Sequence, residues 1–155
     1  MNSLKYYSIA HTGQQPSNHV TLEAIRVENT RDPKQDLDFI RINQDGTRPA
    51  GPPWFRVPTG QVFVVTDVDW QYNMGAAGQI QTFRVFIENL ADPTISNRVF
   101  ESTIVLNNQG QGGISESMTS GFVVSSAGRI VVDTFPGGGV ISHVIVRGYL
   151  MTATS

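Results

Sequence analysis

From residue 20 to residue 150 the hydrophobic positions recur with a period of two or run together as short β-branched clusters. Nowhere do they hold the 3.6-residue spacing of an amphipathic helix over a convincing length. Successive side chains of a strand point to opposite faces, so this alternation predicts strands at 20–28, 37–43, 61–72, 80–88, 99–106, 121–125, 129–134 and 141–150, with a short ninth at 5–9. The segments between them, NTRDPKQD, NQDGTRPAGPP, NMGAAG, NLADPTISN, NNQGQGG, SSAG and PGGG, are rich in residues that tolerate positive φ or fix a bend. An all-β chain with strands this closely spaced predicts a two-sheet antiparallel β-sandwich. Jelly-roll connectivity is the first expectation and an immunoglobulin-like sandwich the alternative.

The faces sort by parity. In VFVVTDVDWQY the alternation assigns Val62, Val64, Val68, Trp70 and Tyr72 to the core side and Phe63, Val65, Asp67, Asp69 and Gln71 to the other. In QTFRVFIEN, Phe83, Val85 and Ile87 face inward, leaving Arg84, Phe86 and Glu88 outside, where Phe86 stands among charges. The closing strands are apolar on both faces: Phe122 and Val124 against Val123, Ile130 and Val132 against Val131, Val144 and Val146 against Ile145. Strands of this kind need cover on both sides, and a partner sheet supplies only one. The expected second cover is another subunit, with Phe86, Phe122, Val131 and Val144 as interface candidates, or failing that a loop or the N-terminal arm.

Composition narrows the classes. At 155 residues the chain fits one domain, 1–155, with a proline-rich irregular connection at about 44–58 that is flanked by strand-like sequence and so is not a domain linker. Charged residues make up only 15%, against roughly 25% in an average globular protein, so neutral polar side chains cover much of the surface. Eleven basic and thirteen acidic residues give a net charge of -2 with no Lys or Arg run, which argues against nucleic acid as a partner. The absence of Cys removes disulfides and thiol chemistry and leaves the compartment open. The first residues lack the apolar core of a signal peptide, and no segment approaches the ~18 apolar residues of a membrane helix. A soluble chain of undetermined localisation is expected.

The succession VPTGQVFVVTDV, then SGFVVSSAGRIVV, then VIVRGYL resembles bacterial and phage jelly-roll domains of the trimeric fibre-head or tumour-necrosis-factor-like kind, which commonly end in a hydrophobic strand followed by Gly and an aromatic residue. The likeness spans roughly residues 57–150 and rests on turn and strand order. It implies assembly and binding, and carries over no catalytic residue.

Reactive constellations are few. Asp67 and Asp69 share a strand face and could hold Ca²⁺ or act as acid and base, but no D-x-D-x-D-G loop supplies further ligands, so a solvated face is expected. His11, His19 and His143 lack metal-ligand spacing, and no G-x-S-x-G elbow singles out a serine. Gly112 and Gly113 read as a hairpin tip, not a phosphate loop. Trp54, on the stiff segment PPWFRVP, is the aromatic candidate for stacking on a sugar, with Asn107, Asn108 and Gln109 as hydrogen-bonding partners. The expectation is therefore a non-catalytic structural or interaction module acting as a homo-oligomer, trimer ahead of dimer, with no cofactor or metal. A lectin-like carbohydrate-binding module is the alternative, and an enzyme built from distant loops comes third.

Overall fold

A computed structural model of the chain describes residues 18–26, 37–50 and 54–154, and within them every regular element is a β-strand. The strand expected at 5–9, His11, and residues 27–36 and 51–53 lie outside the described residues. The strands are β1 His19–Arg26, β2 Leu37–Arg41, β3 Gln61–Asn73, β4 Ile80–Asn89, β5 Ser96–Val105, β6 Gly112–Ser125, β7 Gly128–Phe135 and β8 Val140–Thr152. They form two antiparallel sheets, one ordered β2-β1-β8-β3-β6 and the other β5-β4-β7, which pack as a β-sandwich. The first and last long strands are neighbours, and only β1–β2 and β4–β5 join consecutive strands. That wrapped order is a jelly roll's. An immunoglobulin-like sandwich would put its third, sixth and seventh strands in one sheet, whereas β3 and β6 here belong to one sheet and β7 to the other.

Apolar side chains from both sheets meet between them. Trp70 of β3 stacks on Phe83 of β4 with ring centroids 5.0 Å apart, and the Trp70 indole Nε1–H donates to Ser102 Oγ of β5 at 3.0 Å. One residue thus ties the sheets by ring contact and satisfies its only polar atom. Phe83 and Val85 are fully buried, as their parity predicts, with Ile87 packed against the same cluster. Glu88, expected outside, is buried instead, and its carboxylate accepts from Arg129 Nε at 2.8 Å and Nη2 at 2.6 Å. Its pairing is what makes that burial tolerable.

β3 does not keep one parity. Val65 pairs with Gly148 and Asp67 with Arg147, so Thr66 is an extra residue relative to β8. A one-residue bulge exchanges the faces of everything beyond it. Phe63 and Val65 therefore fill the core before Thr66, and Val68, Trp70 and Tyr72 after it. Val62 and Val64 belong to the outer face, which corrects the single-parity expectation. Against β6 the same site takes up more slack, since Val65 pairs with Phe122 and Asp67 with Ser117. Gly121 sits in that wide bulge at φ 69°, where a Cβ would lie 2.0 Å from the Val65 carbonyl oxygen. Only glycine fits there.

β6 begins at Gly112, not at 121, and β5 at Ser96, not at 99. Gly112 and Gly113 are thus strand residues, and the turn from β5 of one sheet to β6 of the other falls at Asn107 to Gln111 with Gly110 at φ 71°. Among the described residues between 42 and 60 there is no strand.

Candidate functional site

The outer face of the five-stranded sheet carries three successive zones, set by the register of β3. At one end, Val62 lies opposite Met151 and Ser125, and Val64 lies opposite Tyr149 and Val123. These two rows hold no charged side chain. Val123 is 54% exposed, Met151 45% and Tyr149 38%, so the apolar patch is open on the side away from the core.

The middle zone is polar. Asp67 accepts hydrogen bonds from the hydroxyls of Thr66, at 2.7 Å, and Ser117. Those bonds, with the Arg147 charge opposite it, hold the Asp67 carboxyl below its ordinary range. His19, paired with Tyr149, has its own pKa lowered chiefly by burial, and its Nδ1 has no hydrogen-bond partner among the described residues. Ser117 spends its proton on a carboxylate and not on an imidazole, so the three groups do not make a nucleophile–base relay.

Beyond Asp67 the face opens into a groove of about 530 Å³ lined by Asp69, Gln71 and Asn73 of β3, by Gly113, Ile114 and Ser115 of β6, and by Asn107 and Gln111 of the β5–β6 turn. Asn107 Oδ1 accepts from the backbone N–H groups of Gln109 at 2.9 Å and Gln111 at 3.0 Å, which makes it the anchor of the turn. Asn108 and Gln109 are exposed but do not line the groove.

Trp54 is not brought to these residues. It precedes Phe55, whose ring packs 5.6 Å from Phe63, whereas the Asn107 turn leads into Gly112 opposite Tyr72. Phe63 and Tyr72 are nine strand residues apart, roughly 30 Å at about 3.3 Å per residue. Trp54 is half-buried, and the proposed aromatic-plus-amide cluster does not exist as a unit. Asp67 and Asp69 do share the outer face, but the described residues contain no group of three His, Cys, Asp or Glu able to hold a metal ion. His19 lies opposite Tyr149 and His143 opposite Gln71, six β8 residues and roughly 20 Å apart.

Of the interface candidates, Phe122 and Val144 are buried in the chain's own core, which corrects their assignment to a subunit contact. Val131 and Phe86 are half-buried and opposite one another on the three-stranded sheet. Phe86 is already covered on one side by the Arg84 guanidinium, 5.8 Å from its centroid, and Arg84 in turn is held by Asp133 at 2.7 Å. The charges beside Phe86 thus answer within the chain the exposure that its sequence context suggested. The patch around Val123 was hidden in the sequence because Val62 and Val64 looked inward until the bulge at Thr66 was known. Gln71 and Asn73 were hidden because polar residues on an alternating strand carry no mark of a groove. Neither a scan against protein-family models nor a search of curated proteins found a match to this chain.

Proposed function

We propose that the protein is a non-catalytic structural or interaction module that acts as a closed homo-oligomer, trimer ahead of dimer. The observation that carries this reading is the run of exposed Val123, Tyr149 and Met151, beside Val62, on the outer sheet face, in two rows that hold no charged side chain. A contiguous exposed patch of this kind favours association, and a patch shared by identical chains closes most simply in a cyclic group. The resemblance to trimeric jelly-roll domains points the same way. The sparse charge on the surface, 15% overall, removes the usual brake on self-association.

Size-exclusion chromatography with light scattering tests it. The expected mass is two or more times 17.0 kDa across micromolar concentrations, and a mass of 17.0 kDa throughout rejects the reading. Val123→Lys and Tyr149→Lys should lower the mass, because an unpaired charge in a desolvated contact costs several kcal/mol. Phe86→Lys on the opposite sheet should leave it unchanged. The reverse pattern would move the contact to the three-stranded sheet.

A further inference from the structure

We infer that the groove at the far end of the same sheet face is a binding site for neutral, hydroxyl-rich ligands of the carbohydrate class. Asp69, Gln71, Asn73 and Ser115 line it from two adjacent strands, and Gln111 and Asn107 line it from the β5–β6 turn. The side chains of Asp69, Gln71, Asn73, Gln111 and Ser115 make no hydrogen bond to the protein among the described residues. The contrast lies one row away, where Asp67, Thr66 and Ser117 satisfy one another. Exposed carboxylates in the loops behave the same way: Asp45 takes the Thr47 hydroxyl and Asp92 the Thr94 hydroxyl, each at 2.6 Å. In the groove, Asp69, Gln71, Asn73, Gln111 and Ser115 stay uncommitted and are clustered on one surface.

The donor and acceptor set selects the ligand class. Three amides and a hydroxyl both donate and accept, and the one carboxylate accepts strongly, which suits vicinal hydroxyls that do both. No Lys, Arg or His lines the groove and Asp69 repels anions, so phosphate and sulfate esters are disfavoured. Its lining is too polar for a lipid chain. Gly113 keeps the floor low: a Cβ there would press on Gln71 Cγ at 2.8 Å and push that amide out of line. With no aromatic platform in the lining, binding should be weak and shared among several hydrogen bonds.

The test is a ¹⁵N-resolved NMR titration of the full chain with maltotriose, cellotriose, chitotriose and mannotriose, with glucose 6-phosphate as the anionic comparison. At least one neutral trisaccharide should give saturable shifts confined to residues 69–73 and 107–115, with a Kd of about 1 mM or tighter, and the phosphate ester should not. Gln71→Ala combined with Asn73→Ala should weaken that binding about tenfold while light scattering gives an unchanged mass. Three results overturn the inference: no saturable shift with any neutral probe, shifts that fall outside the groove, or a double variant whose mass drops. The last would make the groove a contact between copies and would leave the oligomer reading standing, so the two proposals fail separately.

Discussion

Glu88 is the residue at which removing a single partner should be felt most. It is 2% exposed, and Arg129 grips its Oε1 with two nitrogens while being itself only partly covered. Taking away Arg129 removes two charge-assisted hydrogen bonds from a buried carboxylate, whereas neutralising both members removes the charge along with those bonds. Arg129→Ala is therefore expected to cost about 3–5 kcal/mol, which at about 2–4 °C per kcal/mol for a chain of this size means a melting temperature lower by roughly 10 °C. The double change Glu88→Gln with Arg129→Met should recover most of that loss. Calorimetry on the three variants decides it, and a double variant as unstable as Arg129→Ala would show that the pair is needed for more than charge balance. The same reasoning separates Glu88 from Asp45 and Asp92, whose carboxyls are held below their ordinary range by Thr47 and Thr94 but lie in water, where such bonds order a turn without stabilising the fold appreciably.

Among the elements, β3 governs how much of the molecule could be read in advance. Its existence and ends were legible because a run of Val and Phe leads into Val, Trp and Tyr alternating with polar residues. Its faces were not, because Phe63, Val64 and Val65 are apolar without a break and any bulge within them exchanges inside for outside. β6 fails to announce itself for the opposite reason. Residues 112–117 pair with β3 at the sheet edge, where one flank is solvent, so Ser115 and Ser117 need no apolar alternation to be strand. The glycines of β6 and β8 hold these two strands against β3. A Cβ at Gly148 would stand 1.9 Å from the Val64 carbonyl oxygen, and the one at Gly121 is as tight and at positive φ. Gly148→Ala should accordingly lower the urea midpoint by the equivalent of about 1–3 kcal/mol or more, since a backbone atom cannot swing aside as a side chain can. An unchanged midpoint would mean that β8 slides along β3 to make room, and in that case the spacing of Val64, Tyr149 and Val123 would alter with it.

For the molecule as a whole, acid should act in two stages, and the residues that set them lie on the outer face between the apolar patch and the groove. His19 has its pKa lowered from 6.5 by burial, so the folded chain favours the neutral ring. The unfolded chain takes up the proton first. Stability conferred by a depressed histidine is complete above 6.5 and is lost as pH falls from there through the lowered folded value. Asp67 has its carboxyl lowered from 3.8 by the Ser117 and Thr66 hydroxyls, so its contribution is complete above 3.8 and is lost as pH falls through its own lowered value. Both groups therefore weaken the fold in the acid direction, His19 beginning to do so at the higher pH. Protonating His19 has a second consequence, because it ends the row of Val123, Val64 and Tyr149 and would set a positive charge at the rim of the apolar contact. The oligomer should then loosen in the first stage, before the fold is lost in the second. Light scattering and calorimetry run in parallel from pH 8 to pH 3 would resolve the two steps, and His19→Gln should abolish the first while leaving the second in place. If the mass held constant down to the pH at which the chain unfolds, His19 would lie outside the contact, and the patch would have to close through Val62, Val123 and Met151 without it.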